Sequence, residues 1–88
     1  MKFAVQWSGR ALESLAQIWL ENPTNRIAIR QATANTDQLL AFDPLDQGES
    51  REGQRRVLFV PPLVLTFHVD VVRSLILVLN VRYSKRRT

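Results

Sequence analysis

Residues 55–83, RRVLFVPPLVLTFHVDVVRSLILVLNVRY, decide the fold. Three apolar runs, Arg55 to Val60, Leu63 to Asp70 and Ser74 to Tyr83, are separated by Pro61-Pro62 and by Asp70 to Arg73. Both breaks are short enough for hairpins. In the middle run Leu65, Phe67 and Val69 alternate with Thr66, His68 and Asp70, the period of a strand covered on one face. The last run, SLILVLNVRY, is apolar nearly throughout, with six of the seven positions Leu75 to Val81 hydrophobic. That is the composition of a central strand flanked on both sides. A three-strand meander follows.

Upstream, Phe3, Val5 and Trp7 alternate with Lys2, Ala4 and Gln6, which predicts another half-buried strand. Ser8 is a helix N-cap, and Leu12, Leu15, Ala16 and Trp19 fall at the spacing of one helical face. Asn22-Pro23 stops that helix. Thr24 or Asn25 caps a second one, with Ile29, Ala32, Thr36, Leu39 and Leu40 as its inner stripe and its end before Asp43-Pro44. The short connection makes the two helices an antiparallel hairpin. Residues 43–54, DPLDQGESREGQ, form the one long irregular stretch.

These elements predict one α+β domain over residues 1–88, in the order β-α-α-β-β-β and in two layers. Strict alternation of direction makes the last strand antiparallel to the first. The expected architecture is thus an antiparallel four-stranded sheet of order 1-4-3-2 with the helical hairpin on one face. The expected core includes Trp7, Leu15, Trp19, Ile29, Leu39, Phe59, Phe67 and Val78. Strands two and four run the same way, so the start of one and the end of the other lie at opposite ends of the sheet.

Charge is sorted along the chain. Residues 1–50 carry Lys2, Arg10, Arg26 and Arg30 against Glu13, Glu21, Asp37, Asp43, Asp46 and Glu49, a net of −2. Residues 51–88 carry Arg51, Arg55, Arg56, Arg73, Arg82, Lys85, Arg86 and Arg87 against Glu52 and Asp70, a net of +6 within the overall +4. A basic half implies a polyanion or an acidic protein as partner. For Lys85, Arg86 and Arg87 the alternative is a solvated tail. With no cysteine there are no disulfides and no thiolate ligands or nucleophiles. One His and few clustered carboxylates argue against a metal site, and no cofactor is expected. The start MKFAVQW lacks the apolar core of a signal peptide, and no stretch approaches a membrane span, so the expected location is cytoplasmic.

A strand, a helical hairpin and a β-meander in 88 residues resemble the RelE/ParE superfamily of type II toxin-antitoxin systems. The likeness is carried by FAVQWSGRALESLAQIWL at 3–20, DQLLAFDPLDQGESREGQRRVLFVPPLVLTFHVD at 37–70 and ILVLNVRY at 76–83. The resemblance implies a growth-inhibiting toxin, of the kind linked to plasmid stabilisation, neutralised by a cognate acidic antitoxin. In the ribosome-dependent ribonucleases of the superfamily, the mRNA interferases, basic residues across the sheet bind messenger RNA and stabilise charge on the scissile phosphate. Arg55 or Arg56 matches the basic position opening the second strand, and Arg82 and Tyr83 match the terminal basic and aromatic residues. The implied catalytic set is Arg56, Arg82 and Tyr83, with Arg51, Arg55, Lys85 and Arg86 binding nucleic acid. Val64 departs from the pattern, standing where these nucleases often carry Arg. That departure favours a ParE-like inhibitor that binds a topoisomerase such as gyrase, or an inactive descendant; a nontoxic interaction domain that kept the fold is the third alternative.

Other residues have blander readings. His68 is a candidate acid or base but fits an exposed strand position equally. Trp7 and Trp19 read as core. Glu49 and Glu52 are candidate bases only if their loop folds over the basic patch, and Arg51 can instead pair with Glu49 or Asp46 within that loop. Tyr83 reads alternatively as an edge aromatic covering the hairpin.

Overall fold

Ser8 organises the first half of the molecule. The computed structural model describes residues 2–42, 49–50 and 55–84, with β1 at Ala4–Trp7 and α1 at Gly9–Glu21. The Ser8 hydroxyl accepts the Ala11 N–H at 3.0 Å as an N-cap and donates to the Leu79 carbonyl at 3.2 Å. The Ser8 backbone N–H adds a bond to the Val78 carbonyl at 2.9 Å. Asn22 closes α1 by donating its side-chain amide to the Ile18 carbonyl. A single 3-10 turn, Pro23–Asn25, leads into α2 at Arg26–Phe42. Arg26 braces that corner, donating Nε to the Trp19 carbonyl and stacking over the Trp19 ring.

The remaining strands are β2 at Glu49–Ser50, β3 at Arg55–Val60, β4 at Leu63–Asp70 and β5 at Leu75–Tyr83. Their order in the sheet is β1-β5-β4-β3-β2. The four principal strands thus stand in the expected 1-4-3-2 order, extended at one edge by the two-residue β2. The architecture is the α+β one that the sequence predicts, with both helices packed on the sheet.

One direction is corrected: β1 runs parallel to β5, pairing Ala4 with Leu75 through Trp7 with Val78, so the sheet is mixed. Strict alternation fails at Ser8. Pinned to Val78 and Leu79, α1 continues past the end of β1 beside the second half of β5, and its Ser14, Gln17 and Glu21 share a groove with Val81, Arg82 and Tyr83. Then α2 makes the return, from Asn25 bonded to Tyr83 down to the Ala41 carbonyl, which accepts the Phe3 N–H.

The core lies between sheet and helices. Phe67, Leu65, Leu63, Ile76 and Val78 meet Ala11, Ile18, Ile29, Ala32 and Leu40, with Val5, Trp7, Leu15, Trp19 and Tyr83 half-buried around them. The α2 stripe is as expected apart from Leu39, which lies at the solvent margin. On α1 the buried stripe is rotated by one residue: Ala11 and Ile18 are buried while Leu12 is 53% exposed. The bonds from Ser8 hold the start of α1 against β5, and the small Ala11 takes the closest approach. Phe59 is also corrected. Leu58 and Val60 point inward, so alternation turns Phe59 out and leaves it 42% exposed.

Candidate nucleic-acid interface

Cross-strand register sorts every sheet residue onto one of two faces. On the helix side lie Leu58 and Val60 of β3, Leu63, Leu65, Phe67 and Val69 of β4, and Ile76, Val78 and Val81 of β5, all buried. The opposite, helix-free face carries Arg55, Val57 and Phe59 from β3, Val64, Thr66, His68 and Asp70 from β4, and Leu75, Leu77, Asn80 and Arg82 from β5. Between Asn80, opposite Thr66, and Val78, opposite Phe67, Leu79 is one residue in excess: a β-bulge. Its carbonyl takes the Ser8 hydroxyl bond. The bulge thus fastens the start of α1 to the centre of the sheet.

Beside that bulge is a depression of about 490 Å³ lined by Ser8, Arg10, Arg55, Thr66, Leu79 and Asn80. Arg10 reaches it from the first turn of α1 and Arg55 from the start of β3. Neither arginine pairs with a carboxylate among the described residues. On the helix-free face Glu49 of β2 stands in register with Val57, and Asp70 holds the turn after β4: its carboxylate accepts the Arg73 backbone N–H at 3.1 Å and lies 3.8 Å from the Arg73 guanidinium. Two guanidiniums around neutral hydrogen-bonding groups can hold phosphate or carboxylate oxygens.

The expected site residues separate. Arg55 and Arg82 share the helix-free face, but Arg55 stands level with Leu77 through His68, while Arg82 stands opposite Val64. They are therefore roughly 13 Å apart along the strands and about 10 Å across them. Arg82 borders a second depression, of about 500 Å³, beside Gln17 and Glu21 of α1. Arg56 alternates to the helix side, in register with the buried Phe67. Tyr83 also faces the helices, and its hydroxyl oxygen accepts the Asn25 amide at 2.8 Å. His68 is half-buried on the helix-free face, paired in register with Arg55. Trp7 packs beside the core and donates its indole N–H to Asp37 at 2.9 Å. Arg51, Glu52, Lys85, Arg86 and Arg87 lie outside the described residues. Among the described residues no group of three or more His, Asp or Glu could hold a metal ion. None of the described helices is long and apolar enough to cross a membrane.

Arg10 is the residue that reading the sequence missed. In sequence it is a lone cation on a helix, and only the attachment of Ser8 to the bulge carries it to Asn80 and Thr66. Asn80, a polar interruption in an apolar strand, was the available signal.

No protein-family model matches the chain, and no curated protein matches it. Its likeness is to solved structures. A chain of the RelBE2 toxin-antitoxin complex of Mycobacterium tuberculosis aligns with TM-score 0.77 and 16% identity over 98% of this chain and 95% of its own. One from the chromosomal ParDE toxin-antitoxin system of Pseudomonas aeruginosa aligns with TM-score 0.75 and 17% identity over 96% and 98%. TrmO from Pseudomonas aeruginosa aligns with TM-score 0.60 and 26% identity over 92% of this chain but 35% of its own. From the strand order to the helical pair packed on the sheet, this chain has the RelE/ParE fold.

Proposed function

We propose that this chain, acting as one domain, is the toxin of a type II toxin-antitoxin pair: it arrests growth by cleaving messenger RNA on the ribosome, and a cognate acidic antitoxin neutralises it. The fold it shares with chains of toxin-antitoxin complexes supports the first part. One observation carries the choice of RNA. The face left free by the helices bears Arg55 and Arg82, with Arg10 at its edge, while of its acids Asp70 is engaged by Arg73 and Glu49 stands on the edge strand β2 opposite Val57. Cations on one face attract a phosphate backbone, and the same field steers an acidic antitoxin.

Cleavage of a phosphodiester places growing negative charge on the phosphate oxygens, and a fixed guanidinium stabilises it. In this reading Arg55 and Arg82 supply the charge, and His68, in register with Arg55, is the proton-transfer group on that face. Arg56 and Tyr83 face the helices and support the site from behind the sheet. Arg51, Lys85 and Arg86, outside the described residues, complete the proposed nucleic-acid-binding set by their charge.

A second reading, binding to a topoisomerase without chemistry, has its own support. Val57, Phe59 and Val64 form an apolar strip on the same face, and Val64 sits opposite Arg82 where a further Arg was expected. Controlled expression in a bacterial host, with and without the acidic product of the adjacent gene, separates the readings. The proposal expects arrest, broken messages by primer extension, and rescue by the acidic protein. Arrest with intact messages and double-strand DNA breaks selects the topoisomerase. Unimpaired growth contradicts both.

A further inference from the structure

We infer that Arg10 and Arg55 form a two-guanidinium clamp for the phosphodiester backbone of a single-stranded nucleic acid. The inference rests on the RNA-directed reading for its setting and deepens it by giving Arg10, to which that reading assigns no role in chemistry, a direct grip on the strand beside Arg55.

The two arginines, from different elements, line the 490 Å³ depression together with Ser8, Thr66, Asn80 and the bulged Leu79. Arg55 enters from β3 and Arg10 from the start of α1, which Ser8 ties to β5 two strand spacings, about 10 Å, from β3. Both arginines are exposed, and neither has a carboxylate partner among the described residues. Two like charges turned to one space repel each other until an anion lies between them.

The position of Arg10 points the same way. It is the second residue of α1, and the first turn holds no acid. The positive end of the helix dipole disfavours a cation there and favours Asp or Glu. Proteins break such local preferences at functional sites, and no carboxylate among the described residues offsets this one. A phosphate gripped by Arg10 would also meet the open start of α1, where a side chain added at Gly9 would touch nothing within 4 Å. The rest of the lining suits a nucleotide: Asn80 and Thr66 offer neutral donors and acceptors to sugar or base, and Leu79 offers an apolar contact.

The test is fluorescence anisotropy of end-labelled 12-nucleotide single-stranded RNA and DNA, titrated with the full chain across a salt series. The variants are Arg10→Gln, Arg55→Gln, the double variant, and Arg73→Gln as a control outside the depression. Each single change at the clamp should weaken binding about tenfold or more and lower the salt slope by about 0.7. Arg73→Gln should leave both unchanged. Thermal melting guards against misfolding, because Arg10→Gln removes a cation from the wrong end of a helix and should melt no lower than wild type. Tighter binding of RNA than DNA would support contact from Asn80 or Thr66 to the 2′-hydroxyl, and equal binding would support phosphate alone as the ligand. Wild-type affinity and slope in Arg10→Gln would overturn the clamp. So would absence of RNA binding by the wild type at low salt, which would give the two arginines to a carboxylate-bearing protein partner. Arginine-dependent binding with intact messages in expressing cells would keep the clamp and remove the nuclease. Message cleavage indifferent to Arg10 would do the reverse.

Discussion

Replacing Ser8 by Ala removes two bonds, one that caps the first helix and one that ties its start to the sheet. The hydroxyl caps α1 through the Ala11 N–H and holds the bulge through the Leu79 carbonyl. Loss of a Ser N-cap costs about 1 kcal/mol, and loss of a partly buried hydrogen bond to a carbonyl about 0.5–1.5 kcal/mol. The expected destabilisation is therefore about 1.5–2.5 kcal/mol, a sizeable part of the roughly 5–15 kcal/mol that stabilises a small protein. Two companions divide it. Ser8→Thr keeps donor and acceptor and should stay within about 0.5 kcal/mol of wild type. Ser8→Asp keeps the cap acceptor but cannot donate to Leu79, so its loss should be about 0.5–1.5 kcal/mol. Urea denaturation followed by circular dichroism gives the order, Thr above Asp above Ala. An Ala variant within about 0.5 kcal/mol of wild type would refute the anchoring role. An Asp variant as stable as wild type would assign the whole effect to the cap and none to the bulge.

Phe67→Ala, at a fully buried position, should cost about 3–5 kcal/mol by denaturant titration. Phe59→Ala, 42% exposed on the other face, should cost under about 1.5 kcal/mol by the same titration. Tyr83→Phe removes the acceptor of the Asn25 amide and should cost about 1 kcal/mol while leaving growth arrest intact.

The strands were legible because their punctuation is local. Pro61-Pro62 bounds β3 and β4, and the alternation of Leu65, Phe67 and Val69 with Thr66, His68 and Asp70 needs no tertiary contact to be read. The direction of β1 was not legible, since it depends on Ser8 reaching Val78 and Leu79, some seventy positions away. The helical face of α1 was misread for the same reason. The face of Arg56 was available and overlooked: adjacent residues of a strand point to opposite sides, so Arg55 and Arg56 cannot share a surface. Counting outward from the apolar Leu58 and Val60 sends Arg56 toward the helices. Arg10 belonged to no cluster in the sequence, and the fold alone brings it to Arg55.

The most direct test of the central claim is cleavage of a defined message on purified, programmed ribosomes by the purified chain, mapped by primer extension. The account predicts cuts in ribosome-bound message with the wild type and a loss on the order of 100-fold in rate with Arg82→Ala or Arg55→Ala. Uncut message with the wild-type chain, or cutting that neither substitution slows, would contradict it.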